Sequence, residues 1–282
     1  MIAFAVRNLR VFFRDRASVF FSLIAVLIII GLYAAFLGNT LTQGMEGMPG
    51  ARFLMDSWIM AGLLAVASIT TTLGAAGVMV DDQNKGISKD FRCLPLKRST
   101  IVGGYLLSAV VVGVIMSTAA FAAAEIYIAL NGGKLLSAAA VLKVLGLIIL
   151  SSAASGAMVS LLISFLKTPN ALAVASTVVG TLSGFLMGIY VPISVLPRAV
   201  QTVIKAFPVA HAAALLRQVF MEVPLAESFA GAPPQVVDEF KQSLGVVFTI
   251  GGEAFSAAGS VAILLATTAV FFVLAVWRML KR

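Results

Sequence analysis

Six stretches of this chain run so long without interruption by charge that they settle its solvent before any other property is considered. Ser18 to Gly38, Ser57 to Val80, Val144 to Leu166, Ala171 to Val191 and Ala254 to Trp277 contain no Asp, Glu, Lys or Arg, and Ile101 to Leu130 contains only Glu125. About 20 apolar residues at 1.5 Å rise cross a ~30 Å hydrocarbon layer. Lipid offers no partner to a free backbone N–H or C=O, so a spanning segment is a helix or part of a closed barrel. Barrel strands would show about ten residues of strict alternation, and these blocks show none. The expectation is an all-α integral membrane protein of six transmembrane helices, forming one domain over residues 1–282. Composition agrees: 11% of residues are charged, less than half of the ~25% with which soluble domains cover their surface. The first block, at 21 residues, is long enough to span and stay, unlike the core of a cleaved signal peptide.

Basic residues set the orientation. With six crossings the two ends and the 81–99 and 167–170 connections share one side, which carries 13 Lys and Arg against four acids; the opposite side carries seven against eight. The positive-inside bias puts both termini in the cytoplasm of a cell-membrane protein. The net charge of +8 is thereby accounted for without nucleic acid. The single cysteine, Cys93, falls on the reducing side, so neither a disulfide nor a zinc site can be built within the chain.

Two cytoplasmic segments have helical patterning without the length to span. In MIAFAVRNLRVFFRDR, Ile2, Val6, Leu9 and Phe13 form one stripe and Arg7, Arg10 and Arg14 another. That is the pattern of a helix lying in the interface over about residues 1–16, arginines toward anionic headgroups; a plain basic anchor would also fit. In DDQNKGISKDFRCLPLKRS, residues 81–99, Ile87, Phe91 and Leu94 share a face and Lys85, Lys89 and Arg92 line another; Asp81 or Asp82 can cap the start and Pro95 stops the helix. Such a helix lies on the bilayer or puts its apolar edge into a groove on a cytoplasmic partner, while a solvated loop that only fixes topology accounts for the same charges.

GIYVPISVLPRAVQTVIKAFPVAHAAALLRQV after the fifth block, RNLRVFFRD before the first and RCLPLKRS between the second and third, in that order, resemble the permease subunits of type-2 ABC exporters, in the daunorubicin-resistance-type branch. The resemblance covers essentially the whole chain. It implies that the N-terminal helix (Arg7, Arg10, Arg14) and a coupling helix at about 82–94 (Lys85, Ile87, Lys89, Phe91, Arg92, Leu94) contact a separate ATPase subunit. Two such subunits per complex would bind ATP and Mg²⁺, this chain binding no cofactor. It further implies re-entrant helices at about Ser194–Phe207 and Val209–Met221 within a long 192–253 connection, and a second permease copy or a homologous one. The part of that connection reading ESFAGAPPQVVDEFKQSLGVV looks like an extra small extracellular element.

The residues fit such a division of labour. A P-loop needs Gly, four residues, then Gly-Lys-Ser/Thr, and NGGKLLS at 131–137 fails the spacing. The only histidine, His211, reads as an ordinary hydrogen-bonded residue. Gly180, Gly184 and Gly188 lie four apart on the fifth block, and Ser152, Gly156 and Ser160 on the fourth, allowing close backbone approach within one subunit or, for the glycines, at a seam between two. Glu125 is the one ionisable residue inside a block. It is either hydrogen-bonded near the outer surface, with Lys134 or Lys143 in reach, or a contact for cationic cargo. An ion-coupled carrier would want an ionisable group near the midplane and an intramembrane enzyme a nucleophile or metal ligands there; the blocks supply neither. A non-transporting assembly or sensor protein leaves no chemical mark and stays open. Apolar walls rich in Ser and Thr suit an amphipathic drug, lipid or lipopeptide-like cargo and choose none of them.

Overall fold

The computed structural model describes residues 1–37, 43, 45, 48–93, 95–250 and 253–281. Leu94, one of the expected coupling-helix residues, and Gly38, the end of the first apolar block, lie outside the described residues, as does the Arg92 side chain.

The chain is built of helices: α1 (Ile2–Arg14), α2 (Arg16–Leu32), α3 (Ala51–Asn84), α4 (Ile87–Cys93), α5 (Arg98–Leu130), α6 (Ala138–Ile163), α7 (Pro169–Leu186), α8 (Arg198–Ala206), α9 (Pro208–Phe220), α10 (Glu222–Ser228), α11 (Pro234–Ser243) and α12 (Ala257–Lys281). A two-residue antiparallel pair, β1 (Thr249–Ile250) with β2 (Glu253–Ala254), precedes α12. Among the described residues α3, α5, α6, α7 and α12 are each long and apolar enough to cross a membrane. The first apolar block instead forms a helix bent by 43° between Ile24 and Val26, continued by a π-helical turn over Tyr33–Leu37.

α3 is the axis of the bundle. It packs against α2, α5, α6, α7 and α9, and 72% of its apolar stretch is buried within the chain against 11% for α7. Close approach along it is polar and small: Ser68 Oγ lies 2.6 Å from Ser151 Oγ and 3.2 Å from Ser155 Oγ on α6, and Gly113 of α5 lies against Thr72 of α3 and Ser152 of α6. Ser68 Oγ also bonds Ala65 O of its own helix at 2.8 Å, so it is satisfied on both sides where water is absent, whereas the buried Ser152 Oγ has no hydrogen-bond partner among the described residues. Gly156, expected on a packing stripe, meets Val110 of α5.

The helix ends correct several sequence boundaries. At 34 residues, ~50 Å of helix, α3 outruns its uncharged block at both ends, taking in Arg52 and Asp56 at one and Asp81 and Asp82 at the other. Asp82 therefore belongs to the last turn of α3 and caps nothing; the chain breaks at Gly86, whose φ of +79° suits glycine, and the short loop helix starts at Ile87 rather than 82. Gly188, expected on the fifth helix, lies beyond it. α7 stops at Leu186, and Gly188 at φ +62° forms a Schellman ending: its N–H bonds Phe185 O at 3.0 Å, and the Ile189 N–H bonds Gly184 O at 3.0 Å. α7 begins by rule, with Thr168 Oγ1 accepting from the Ala171 N–H at 3.2 Å and Pro169 in the first turn.

The expected extra element at 224–250 takes the form of α10, α11 and the β pair. It is tied to the bundle by Trp58 Nε1 donating to Leu244 O (2.8 Å), Gln218 Nε2 to Val246 O (2.9 Å) and Lys205 Nζ to Thr249 O (2.8 Å).

Candidate functional site

Two clusters of functional side chains lie at opposite ends of α3, some 24 residues apart along it, or ~36 Å.

At the Asp82 end four elements meet. α1 lies across α5 because Gly103 and Gly104 carry no side chain: Met1 and Phe4 occupy the space where a Cβ would project. The face α1 turns inward is Ala5, Asn8 and Phe12, all buried, whereas Ile2, Val6 and Phe13 of the expected apolar stripe stay exposed. α1 thus has three faces: one packed on protein, one apolar and open, one basic. From this helix Arg7 reaches the buried carboxylate of Asp82. Arg7 Nη2 donates to Asp82 Oδ1 at 3.0 Å, Arg7 Nη1 pairs with Asp82 Oδ2, and Tyr105 of α5 donates its hydroxyl to the same Oδ2 at 2.6 Å. The hydrogen bond to Asp82 raises the Arg7 pKa above its ordinary value, so the guanidinium stays charged.

The same cluster carries α4. The Phe91 ring stands edge-on to Phe4 at 4.9 Å, Phe4 stands edge-on to Tyr105 at 5.0 Å, and the Arg7 guanidinium lies 5.3 Å from the Phe91 ring centre. Aromatic edge-to-face pairs and a cation over a ring each add about 0.5–1.5 kcal/mol beyond area burial. Phe91 and Arg7, assigned independently to the loop helix and the N-terminal helix, are therefore joined to each other within this chain. Lys89 and Cys93 on α4 are exposed, and Lys85 before it makes only an exposed 3.9 Å pair with Asp81. Arg10 and Arg14 are exposed on α1. Tyr105, Phe4 and the Gly103–Gly104 pair carry no charge pattern; closeness to the loop in sequence hints at a role for Tyr105 and the two glycines, and nothing does so for Phe4.

At the Trp58 end, Arg217 of α9 is buried to 1% exposure. Its Nη2 donates to Met187 O (2.6 Å) and Gly188 O (3.1 Å), carbonyls at the end of α7, and the guanidinium lies 5.1 Å from the Trp58 ring centre. Helix ends carry partial negative charge on their last carbonyls, so a carbonyl pair and a π face replace a carboxylate. Gly62 and Gly245 leave room: a Cβ on Gly62 would sit 3.0 Å from Arg217 Nη2, and one on Gly245 3.4 Å from Nη1. His211, one helical turn and a half earlier on α9, is buried; its Nδ1 lies 3.1 Å from Ser260 Oγ and its Nε2 2.9 Å from Lys205 O. That is the ordinary hydrogen-bonded histidine of the sequence reading, on a helix rather than a loop.

The remaining candidates separate. Glu125 Oε2 accepts the Leu136 N–H at 3.1 Å, tying the α5–α6 connection to α5. Lys134 pairs with Glu227 and not with Glu125. One oxygen of Glu125 thus has a backbone hydrogen bond, while Oε1 is buried with no hydrogen-bond partner among the described residues. Of the three glycines, Gly180 faces open space, Gly184 is covered by Tyr190, and Gly188 ends the helix. Val174, Val178 and Leu182 are exposed along the same helix as Gly180.

Residues 1–221 match the family model described as ABC-2 type transporter. The match runs from α1 to the residue after α9; it contains the Asp82 cluster and, of the other, Trp58, Gly62, Met187, Gly188, His211 and Arg217 but not Gly245 or Ser260. No curated protein matches the chain.

Proposed function

The chain belongs to the ABC-2 type transporter family, a multi-pass membrane permease and not itself a catalyst, and on that premise we propose that it is the transmembrane subunit of an exporter of the daunorubicin-resistance-type branch. Association with ABC ATPase subunits follows from the family. Two ATPase copies per complex, which bind ATP and Mg²⁺, drive export of an amphipathic drug, lipid or lipopeptide-like cargo across the cell membrane, with both termini cytoplasmic. The chain acts as one permease domain. α2 makes the sixth crossing despite its bend, and α1 lies in the cytoplasmic interface with Ile2, Val6 and Phe13 toward acyl chains. α8 and α9 meet at 87°; at nine and 13 residues, ~14 and ~20 Å, neither spans a ~30 Å layer, which suits a re-entrant hairpin. A second permease copy meets this one along the open Gly180 face of α7.

One observation carries the coupling assignment: α4 is fastened to α1 and α5 by Phe91, Phe4, Arg7 and Tyr105 around Asp82. A push on α4 is thereby delivered to the end of the central helix rather than absorbed by a loop. Lys85, Lys89 and the exposed Arg10 and Arg14 of α1 are left to meet acidic groups on the ATPase. With the ATPase co-expressed and the complex reconstituted, Phe91→Asp is expected to insert normally yet lose transport at least ~10-fold, while Lys89→Glu weakens ATPase binding in a salt-dependent way. Normal export and normal ATPase affinity in both variants would remove α4 from the coupling route.

A further inference from the structure

A cavity of about 450 Å³ opens beside the Asp82 cluster, between the end of α3, α4, the start of α5, the α6–α7 connection and the end of α12. Its size falls in the range of small-ligand sites, and its chemistry is divided. Arg98 and Lys167 bring two cations from different elements, Gln83 and Ser88 add neutral donors, and Met79 and Met279 form part of an apolar wall. No carboxylate is among the described residues that line it. In a chain with twelve acids, three of them in the 81–99 stretch, two cations that line one cavity with no carboxylate beside them suit an anion. A basic pocket between helices at the end of a bundle is the arrangement that holds phosphate headgroups, and guanidinium with ammonium grips phosphate through charge-assisted bonds. The methionines supply an adaptable apolar surface for what is attached to it.

We propose that this cavity binds an anionic amphiphile through its phosphate, with Arg98 and Lys167 on the phosphate and the apolar wall against the first part of the chain. Ser88 lies on α4 and Gln83 follows Asp82, so an occupied cavity bears on the same helix that Phe91 fastens. The assignment deepens the exporter reading by naming a ligand class, and it rests on that reading only for the statement that the ligand is drawn from the cytoplasmic leaflet. It also runs against a cationic cargo met by Glu125, which lies toward the other end of α5.

Native mass spectrometry of the purified full chain in dodecyl maltoside, titrated with dihexanoyl phosphatidylglycerol, dihexanoyl phosphatidylcholine and inorganic phosphate, tests it without ATP, ATPase or a defined orientation. A failure here therefore leaves the α4 coupling assignment standing, and a failure of that assignment leaves this one standing. Expected are one saturable phosphatidylglycerol site, at least ~10-fold weaker phosphatidylcholine binding, and at least ~10-fold loss in the Arg98→Gln/Lys167→Gln variant, since its charge-assisted hydrogen bonds to the phosphate are gone. Arg98→Lys/Lys167→Arg, which keeps both charges, is expected to bind within about 3-fold of the parent, and so separates lost charge from lost fold. Arg16→Gln/Lys281→Gln removes the same charge away from the cavity and is expected to leave the site unchanged. Inorganic phosphate competing as well as the lipid would identify free phosphate as the ligand and overturn the amphiphile. Equal binding of the two lipids, or equal losses in the two double Gln variants, would overturn the site.

Discussion

At one end of α3 Arg7 meets a carboxylate, and at the other, beside a separate Arg52–Asp56 pair, Arg217 meets two carbonyl oxygens and an indole ring. Arg7 lies at the edge of its cluster, a third exposed on its side chain, and shares Asp82 with Tyr105. Arg217 is closed in on every side, between the Schellman end of α7, Trp58 and the 244–246 segment. A buried ion pair must repay the desolvation of two charges. Caging one charge with backbone dipoles that would otherwise be orphaned at a helix end avoids the second. Arg7, a third exposed, has water within reach as an alternative partner, which is what the proposed coupling junction would need. The Arg217 cluster has no such partner available and reads as a fixed clasp holding α9 and the 222–254 connection to the bundle.

Breaking the clasp is expected to cost most. Arg217→Met should lower stability by about 3 kcal/mol, because the Met187 and Gly188 carbonyls lose their donor and the cage loses volume; thermal unfolding in detergent measures it. Arg217→Lys should recover less than half of that loss, since an ammonium cannot reach both carbonyls while lying flat on Trp58. Next in size is Asp82→Asn, at about 2 kcal/mol. Combined with Arg7→Gln it should fall short of additivity by about 1–2 kcal/mol, a coupling that full additivity would disprove. Gly188→Ala should cost about 1 kcal/mol from its left-handed backbone alone, and more if Ile193, whose Cγ1 lies 3.1 Å from the added Cβ position, cannot give way.

The smallest effect tests a cap that stands in water and shares neither solution. Asp15 at the start of α2 accepts from the Ala17 and Ser18 N–H groups and from Ser18 Oγ. The bonds from Ser18 hold its carboxyl below the ordinary value of 3.8. A carboxyl depressed by folding stabilises above its unfolded pKa and loses that contribution as the pH falls through the folded one. Asp15→Asn should flatten this loss below pH 4 and leave the neutral-pH Tm nearly unchanged.

What the sequence makes legible follows from what a pattern can encode. Uninterrupted apolar runs fix α3, α5, α6, α7 and α12, because lipid tolerates no other backbone arrangement; of the two short helices expected from about Ser194 and Val209, the second starts within a residue, at Pro208, and the first four residues later, at Arg198. α1 is legible as a helix, expected over about 1–16 and observed over Ile2–Arg14, but its packed face is not, since Ala5, Asn8 and Phe12 are buried and Ile2, Val6 and Phe13 of the expected stripe are exposed. The clusters are harder to read. Asp82 looks like a loop charge because block counting stops at the first carboxylate, yet a carboxylate paired with Arg7 and Tyr105 sits in the last turn of the helix despite the unfavourable dipole. Gly188 sits in register with Gly180 and Gly184, and spacing alone cannot separate a packing glycine from a terminating one. Arg217 stands out as a cation in an apolar setting, but its partners are carbonyls from a segment 30 residues away, and backbone acceptors leave no trace in residue type.

The central claim is that α4 is the point where the ATPase meets this permease. Cys93, the only cysteine of the chain, is exposed on α4 and takes a photo-crosslinker without engineering. Illumination of labelled membranes from cells co-expressing the ATPase is expected to join Cys93 to the P-loop-containing subunit, with a yield that changes when ATP is added. Labelling of Cys93 in intact cells by a membrane-impermeant maleimide, with no adduct to the ATPase, would contradict it.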